Sequence, residues 1–418
     1  MHSESSAIRL MWNGSRRRFL AAVGGIGATT FAGCIENIGG GGGGSNDTVR
    51  YGVLSPMSGA YSSLGPEQRR GAKLAVKTIN QSDAFDFEIE ATYKDTGTTP
   101  ATARKAAKQA VEQFGASYLM GAISSSVALA LNSFAESKEV IYNPGAAAIP
   151  ITGTSCNEYV FRAETNTAQV AEAISAYTVK NLGHKVWFHI ADYAYGESVL
   201  KRVRSEMRAA ASDLKIIGVS RSQLGANNYD PFITEIANSA AEVCIIGMTG
   251  GDLITFVNQA ASQGLKDDII LVSPTMTFAP VRKALGPTAV DTYGGVRYLP
   301  TLKTGDNQAF VTAYKQKHDA PPDNFARVGY QSIRMTAQGI KKADSTDPTT
   351  VKDTLSGLKM STIFGTNQFR ECNHQALNPT WMGKLVPSES DDMPDVKLLK
   401  KVKGRNAVMP CAETECKI

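Results

Sequence analysis

The chain has 418 residues, enough for two domains of ordinary size, and its composition is that of a globular protein, 42% hydrophobic and 20% charged. No run of 18 apolar residues occurs, so the sequence offers no membrane-spanning helix. The net charge is +5, but the first 33 residues hold four Arg and one Glu; without them 40 basic face 38 acidic residues, a balance of +2. A charge so near zero gives no electrostatic reason to expect nucleic acid as a partner.

The N-terminus reads as an export signal. Ser15-Arg16-Arg17-Arg18-Phe19-Leu20 is a twin-arginine pattern, and a mildly apolar Gly/Ala-rich stretch, Ala21–Gly33, follows it. The stretch ends in Phe31-Ala32-Gly33-Cys34, which resembles a lipobox; cleavage before Cys34 would free its thiol for a lipid. Residues 1–33 are therefore expected to be a signal peptide. Residues 34–47, with six consecutive glycines (Gly39–Gly44), are expected to form a flexible tether on the outer face of the cytoplasmic membrane.

From Thr48 the pattern alternates strand and helix. Val49–Leu54 predicts a strand, Pro66–Ile79 a helix, Phe87–Tyr93 a strand, and Thr99-Pro100 opens a helix with an N-cap and a first-turn proline. Ser117–Ala122 is a short buried strand, after which Ser124, Ser125 and Ser126 can cap the next helix. Val140–Tyr142 is another strand, closed by the turn residues Asn143-Pro144-Gly145. Phe161–Thr167 reads as an extended connection, and four more helix–strand units follow it, ending at strands Lys185–Ala191, Leu214–Ser220, Glu242–Gly247 and Ile269–Ser273. Two such series predict an α/β chain of two Rossmann-like lobes, each a parallel sheet between helices.

Strand Tyr293–Leu299 is expected to be the return connection, followed by helices near Asn307–His318, Asp323–Lys342 and Pro348–Gly357. Strands near Asn367–Phe369 and Thr380–Leu385 and a charged tail complete the chain. The expected division is 48–162 with 300–370 as lobe 1, 163–299 with 374–403 as lobe 2, and 404–418 as a C-terminal tail. Several extended crossings between lobes make a hinge, and hinged lobes close over a ligand as rigid bodies. The stretch Gly121–Ala148 then supplies hydroxyls, a helix N-terminus and close-packed backbone to one sheet edge, which suits a carboxylate or carbonyl.

Cys156, Cys372, Cys411 and Cys416 are disulfide candidates in an exported chain, with Cys411–Cys416 able to close a small loop and Cys156 and Cys372 able to join distant segments. Cys244, inside Val243-Cys244-Ile245-Ile246, reads as a free core thiol. No His or Cys cluster has metal-ligand spacing, and no cofactor motif occurs. Of the five histidines, His189 reads as core and His374 as structural; no sequence feature supplies a base for a serine nucleophile at Ser125.

With that organisation in view, the mature chain resembles the type I periplasmic-binding proteins, in particular the branched-chain amino acid, amide and urea receptors of ABC transporters. The residues that carry the resemblance are Tyr51–Gly59, Gly65, Gly71–Ala75, Tyr93–Thr96, Gly121–Ser126 and Tyr195-Gly196-Glu197. Cys156–Arg162 and Cys372–Gln375 are similar to a subgroup of that family. The resemblance implies a two-lobed receptor for a small polar solute, expected as a monomer, working with ABC permease and ATPase subunits and making no bonds itself. A sensory receptor on the same fold and a surface hydrolase are the alternative readings.

The resemblance also implies contacts: Ser124 and Ser125 to the solute's carboxylate or carbonyl, backbone groups of Ala146 and Ala148, Tyr195 closing from the second lobe, Leu64 in the place of an aromatic lid, and Thr249 and Thr275 on the moving wall. Two departures bear on the solute. Ala147 and Ala148 stand where a hydroxyl is expected, and no Asp or Glu lies in Ser273-Pro274-Thr275-Met276 to meet an ammonium. A neutral amide, a urea-like molecule or an organic acid fits as well as an amino acid.

Overall fold

The structure, a computed structural model, describes residues 47–389 and 392–418. The expected signal segment, Cys34 and all of the tether but Asp47 lie outside the described residues; Asp47 already belongs to the first strand. The first part of the described chain runs β1 (Asp47–Ser55), α1 (Gly65–Asn80), β2 (Phe87–Asp95), α2 (Pro100–Lys108), β3 (Tyr118–Gly121), α3 (Ser125–Lys138) and β4 (Ile141–Pro144). These strands form a parallel sheet in the order β2-β1-β3-β4. β3 and β4 are buried along their whole length, as helix-covered parallel strands are, and therefore read as continuous apolar runs.

The chain then leaves for a second sheet through α4 (Thr167–Asn181), β5 (Lys185–Ala191), α5 (Ala194–Ala210), β6 (Lys215–Ser222), α6 (Asp230–Ala237), β7 (Val243–Gly247), α7 (Gly250–Ser262), α8 (Leu265–Asp268), β8 (Ile270–Ser273), α9 (Ala279–Leu285) and β9 (Tyr293–Val296). It returns to the first lobe for α10 (Asn307–His318), α11 (Asn324–Ala343), α12 (Pro348–Leu355) and the ribbon β10 (Lys359–Thr362)–β11 (Gly365–Gln368). A last passage adds β12 (Thr380–Val386), β13 (Asp395–Val402) and α13 (Gly404–Ala407), giving a seven-stranded sheet ordered β13-β12-β9-β8-β7-β5-β6. This is the two-lobed Rossmann-like architecture with a multi-strand hinge.

Three differences from the sequence reading have physical causes. The strand expected over Tyr293–Leu299 is shorter; β9 pairs in parallel with β8 and antiparallel with β12, and the return begins only at Arg297. The charged tail contains β13, an edge strand whose Lys397, Lys400 and Lys401 hide its β character from a hydrophobicity reading, as edge lysines commonly do. The small Cys411–Cys416 loop does not form. Cys156 pairs with Cys416 and Cys372 with Cys411, so both bridges tie the C-terminal segment back to earlier parts of the chain. Cys244 is buried and free, as expected.

α1 and α11 pack closely on the first sheet. Their contact requires glycine: a Cβ on Gly71 would overlap the Ala326 carbonyl, and one on Gly329 the Gln68 carbonyl. The first and third crossings, near 162–166 and 370–379, are stitched together. Arg162 N–H donates to His374 O at 2.9 Å and Ala376 N–H to Arg162 O at 3.0 Å, while His374 stacks on Phe161 at 3.9 Å. Among the described residues no helix is long and apolar enough to cross a membrane.

Candidate functional site

Register decides which turns meet. In the first sheet Leu54, Gly121 and Pro144 lie side by side, so the turns after β1, β3 and β4 share one edge. In the second sheet Ile190 lies beside Gly247 and Ser273 beside Gly294, which groups the turns after β5, β7, β8 and β9. The two edges face each other across a closed cleft. Tyr61 and Tyr193 join their hydroxyls across it, Phe325 packs edge-on against Phe278 at 5.1 Å, and Tyr61, Leu64 and Ile123 enter the same apolar cluster as Met248 and Leu253.

The first wall is built on a strained turn. Gly121 has φ +123° and a Cβ there would overlap the Leu54 carbonyl; Ala122 follows at φ +59°, a left-handed conformation that costs a non-glycine residue ~1 kcal/mol. The turn delivers Ser124 and Ser125 to the head of α3. Ser124 occupies the N-cap position but makes no capping bond. Ser125 does not cap either: its Oγ accepts the Ala148 N–H at 3.2 Å, tying the β3 turn to the β4 turn. The expected helix cap is thus replaced by a cross-turn tie, and the first-turn N–H groups of α3 remain without side-chain acceptors.

The β4 turn is oriented by Arg162. This fully buried guanidinium donates to Ala146 O at 3.2 Å and Ala148 O at 2.7 Å, to Thr152 Oγ1, and through Nε to Gln375 Oε1 at 2.7 Å. Burial pulls its pKa down to about 9, which leaves it charged at neutral pH. Ala147 O accepts from both Thr167 N–H and Thr167 Oγ1. All three carbonyls of the turn are therefore engaged, and so is the Ala148 N–H. The N–H groups of Ala146 and Ala147, on buried residues, have no hydrogen-bond partner among the described residues. Buried backbone donors are rarely left in this state without something to receive them.

The second wall carries Tyr195, Thr249 and Thr275. Tyr195 is buried; its hydroxyl receives Arg297 Nη2 at 3.4 Å and meets the Thr275 side chain. Burial raises the phenol's pKa, against the nearby Arg297 guanidinium, so it stays a neutral donor. Thr275 Oγ1 donates to Met248 O at 2.7 Å. Thr249, 7% exposed, has a buried Oγ1 with no partner.

Lack of a side-chain cap is not peculiar to the cleft: α6, α8, α10 and α13 lack one too, while α2, α4, α11 and α12 are capped by Thr99, Asn166, Asp323 and Asp347. α1, α3, α5, α7 and α9 follow the strands whose ends face the cleft, and none has its N-terminus capped by a side chain. The cleft is thereby ringed with free backbone donors and the positive ends of helix dipoles, an arrangement that favours negative charge or strong acceptors.

A profile of the periplasmic binding protein family matches residues 48–391. The chain belongs to this family. Among curated relatives, this periplasmic binding protein is 23% identical over 330 residues to the leucine-, isoleucine-, valine-, threonine-, and alanine-binding protein of Pseudomonas aeruginosa, covering 78% of this chain and 86% of the relative. It is 25% identical over 341 residues to Leu/Ile/Val-binding protein homolog 3 of Brucella melitensis, covering 77% and 87%. Among solved structures it is similar to a periplasmic binding protein from Burkholderia mallei, with a TM-score of 0.81 and 24% identity over 88% of this chain and 98% of that one. A solute binding protein of an ABC transporter from R. palustris, in complex with benzoate, gives 0.79 and 21% over 89% and 100%. These structural likenesses establish the fold.

All eight residues named from the sequence (Leu64, Ser124, Ser125, Ala146, Ala148, Tyr195, Thr249 and Thr275) are buried around the cleft of this binding protein. Ala148 differs in kind, since both its backbone groups are already engaged. The sequence reading passed over Tyr61, Arg162, Glu164, Phe278, Arg297, Phe325 and Arg327. Glu164 sits in a stretch read only as extended, Arg162 was noted only for the subgroup resemblance, and no local periodicity distinguishes a buried arginine from a solvated one.

Proposed function

We propose that this chain is the extracytoplasmic solute receptor of an ABC uptake transporter, held to the outer face of the membrane through a lipid on Cys34. It captures a small solute bearing a carboxylate or carbonyl, closes its lobes over it and presents it to permease and ATPase subunits. Family membership supports the receptor role. The observation that carries the solute class is the donor surplus at the cleft: five uncapped helix N-termini, the orphan N–H groups of Ala146 and Ala147, and the unpartnered Thr249 hydroxyl. An acceptor-rich solute satisfies these groups; a purely cationic or apolar one leaves them buried and unmet.

One relative is named for binding leucine, isoleucine, valine, threonine and alanine, and one structural neighbour holds benzoate; each of those solutes carries a carboxylate, which supports the reading. A thermal-shift screen of amino acids, amides, urea and aliphatic and aromatic acids tests the reading. At 100-fold excess over Kd a solute stabilises by ~2.7 kcal/mol. With an unfolding entropy of ~2.1 cal/mol/K per residue over a body of this size, that raises the melting temperature by ~3 °C. No shift with any of them contradicts the receptor reading.

A further inference from the structure

Charge is unevenly balanced where the chain crosses between lobes. Glu164, on the first crossing, lies between two guanidiniums: Arg297 Nη1 at 3.3 Å from Oε1 and Arg327 Nη2 at 3.2 Å from Oε2. All three side chains are under 5% exposed. Arg162, two residues before Glu164, adds a third buried guanidinium whose partners are uncharged oxygens. One carboxylate thus faces three cations.

Other acids near the cleft are engaged otherwise. Asp323 caps α11 through Ala326 N–H; burial raises its pKa to about 7, against the pull of the nearby Arg327, so it offsets that guanidinium only in part. Asp252 accepts the Gly225 N–H with both oxygens. Buried charge in such surplus is costly unless an anion joins it.

Arg297 is the surplus cation that touches a residue of the second wall, Tyr195. Arg327 is held by Ala163 O, Glu164 and Asn324 Oδ1. Arg297 has only Glu164 and the long contact to Tyr195; its Nε is buried with no partner, as is that of Arg327. It lies over the Phe278 ring at 5.2 Å and touches the same Tyr195 that packs with Ala147 of the opposite wall. We propose that Arg297 receives the solute's carboxylate, and that the cleft therefore selects carboxylates without an ammonium group over both amides and amino acids. This rests on the receptor reading above and narrows it. Glu164 is fully occupied between two arginines, so no free carboxylate is left at this end of the cleft for an ammonium.

The test is calorimetric titration with matched pairs, benzoate against benzamide and 4-methylpentanoate against leucine, on the wild type, Arg297→Met and Arg297→Lys. A charge-assisted hydrogen bond contributes ~1.5–3 kcal/mol, so the wild type should prefer each simple carboxylate by ~10–150-fold. Arg297→Met should reduce the preference to within ~3-fold while leaving a balanced Glu164–Arg327 pair, and hence a folded protein. Arg297→Lys keeps the charge and should retain a weakened preference. Equal affinity for acid and amide, tighter binding of leucine than of 4-methylpentanoate, or an undiminished preference in Arg297→Met overturns the inference while the receptor reading stands. Failure of the wild type to bind any of the four, nor any solute of the thermal-shift screen, overturns both. If Arg297→Met does not fold, the wild-type pairs and Arg297→Lys still decide.

Discussion

Ser125→Ala probes the first wall directly. The substitution removes the acceptor of the Ala148 N–H, leaving that donor buried and unpaired. Such a loss costs ~1–3 kcal/mol. With an unfolding entropy of ~2.1 cal/mol/K per residue over about 370 described residues, the melting temperature falls by ~1–4 °C, and the protein stays folded. The β4 turn also loses its tie to α3, so the Ala146 and Ala147 donors are no longer held against the α3 N-terminus. Misplacing them weakens binding of the best solute by ~10-fold or more, about the worth of one hydrogen bond. Differential scanning fluorimetry and titration calorimetry read the two effects separately. The half-buried Ser126, one residue on, serves as the control and should change neither. A lower melting temperature with unchanged affinity would mean that the tie is structural and the turn is not part of the site. No change in either would mean that the Ser125 bond holds nothing.

Further expectations follow from other parts of the molecule. Burial raises the Asp323 carboxyl from 3.8 to about 7, so the folded state binds its proton more tightly than the unfolded state does. Its contribution is complete below pH ~4 and is lost as pH rises through ~7, at up to ~1.4 kcal/mol per unit; Asp323→Asn keeps the α11 cap and should flatten this slope in urea titrations, and an identical slope would contradict the assignment. His189, pulled down to about 3 by burial, acts in the opposite direction as pH falls, but it is common to both proteins and cancels in the comparison. Replacing Cys372 and Cys411 by Ser opens a loop spanning 39 residues and should cost ~4 kcal/mol by the chain-entropy model, seen as a lower urea midpoint. Non-reducing peptide mapping should recover Cys156 linked to Cys416, and recovery of a Cys411–Cys416 peptide would refute the pairing. Gly329→Ala drives a methyl into the Gln68 carbonyl and should cost ~1–3 kcal/mol by separating α1 from α11; an unchanged midpoint would show that the helices can part freely.

The alternation of strands and helices was legible because parallel strands such as β3, β4 and β7 are short, wholly buried and bounded by turn residues. The register that lines up Leu54, Gly121 and Pro144 follows from that pattern once the order of the strands is known. β10 and β13 were not legible, since one is a four-residue half-exposed strand and the other is lysine-rich. Beside the cleft, Ser124 and Ser125 were readable from their position at a strand–helix turn, and Tyr195 came from the family resemblance. Their partners were not: that Ser125 holds Ala148 rather than capping α3, and that Arg162 turns the Ala146 and Ala148 carbonyls away, depends on contacts 14–23 residues apart. The Arg297–Glu164–Arg327 cluster joins residues 133 and 163 positions apart, which no local pattern encodes. The disulfide pairing was open for the same reason, with partners 260 and 39 residues apart.

Closure of the two lobes over a small acceptor-bearing solute is the claim on which the rest depends. Small-angle X-ray scattering of the solute-free protein, titrated with whichever solute stabilises it most, measures it directly. A radius of gyration that decreases and saturates at one equivalent of solute is the predicted result, with the Tyr61–Tyr193 contact forming as the lobes meet. A radius that stays constant while the solute binds would contradict closure as the mechanism of capture.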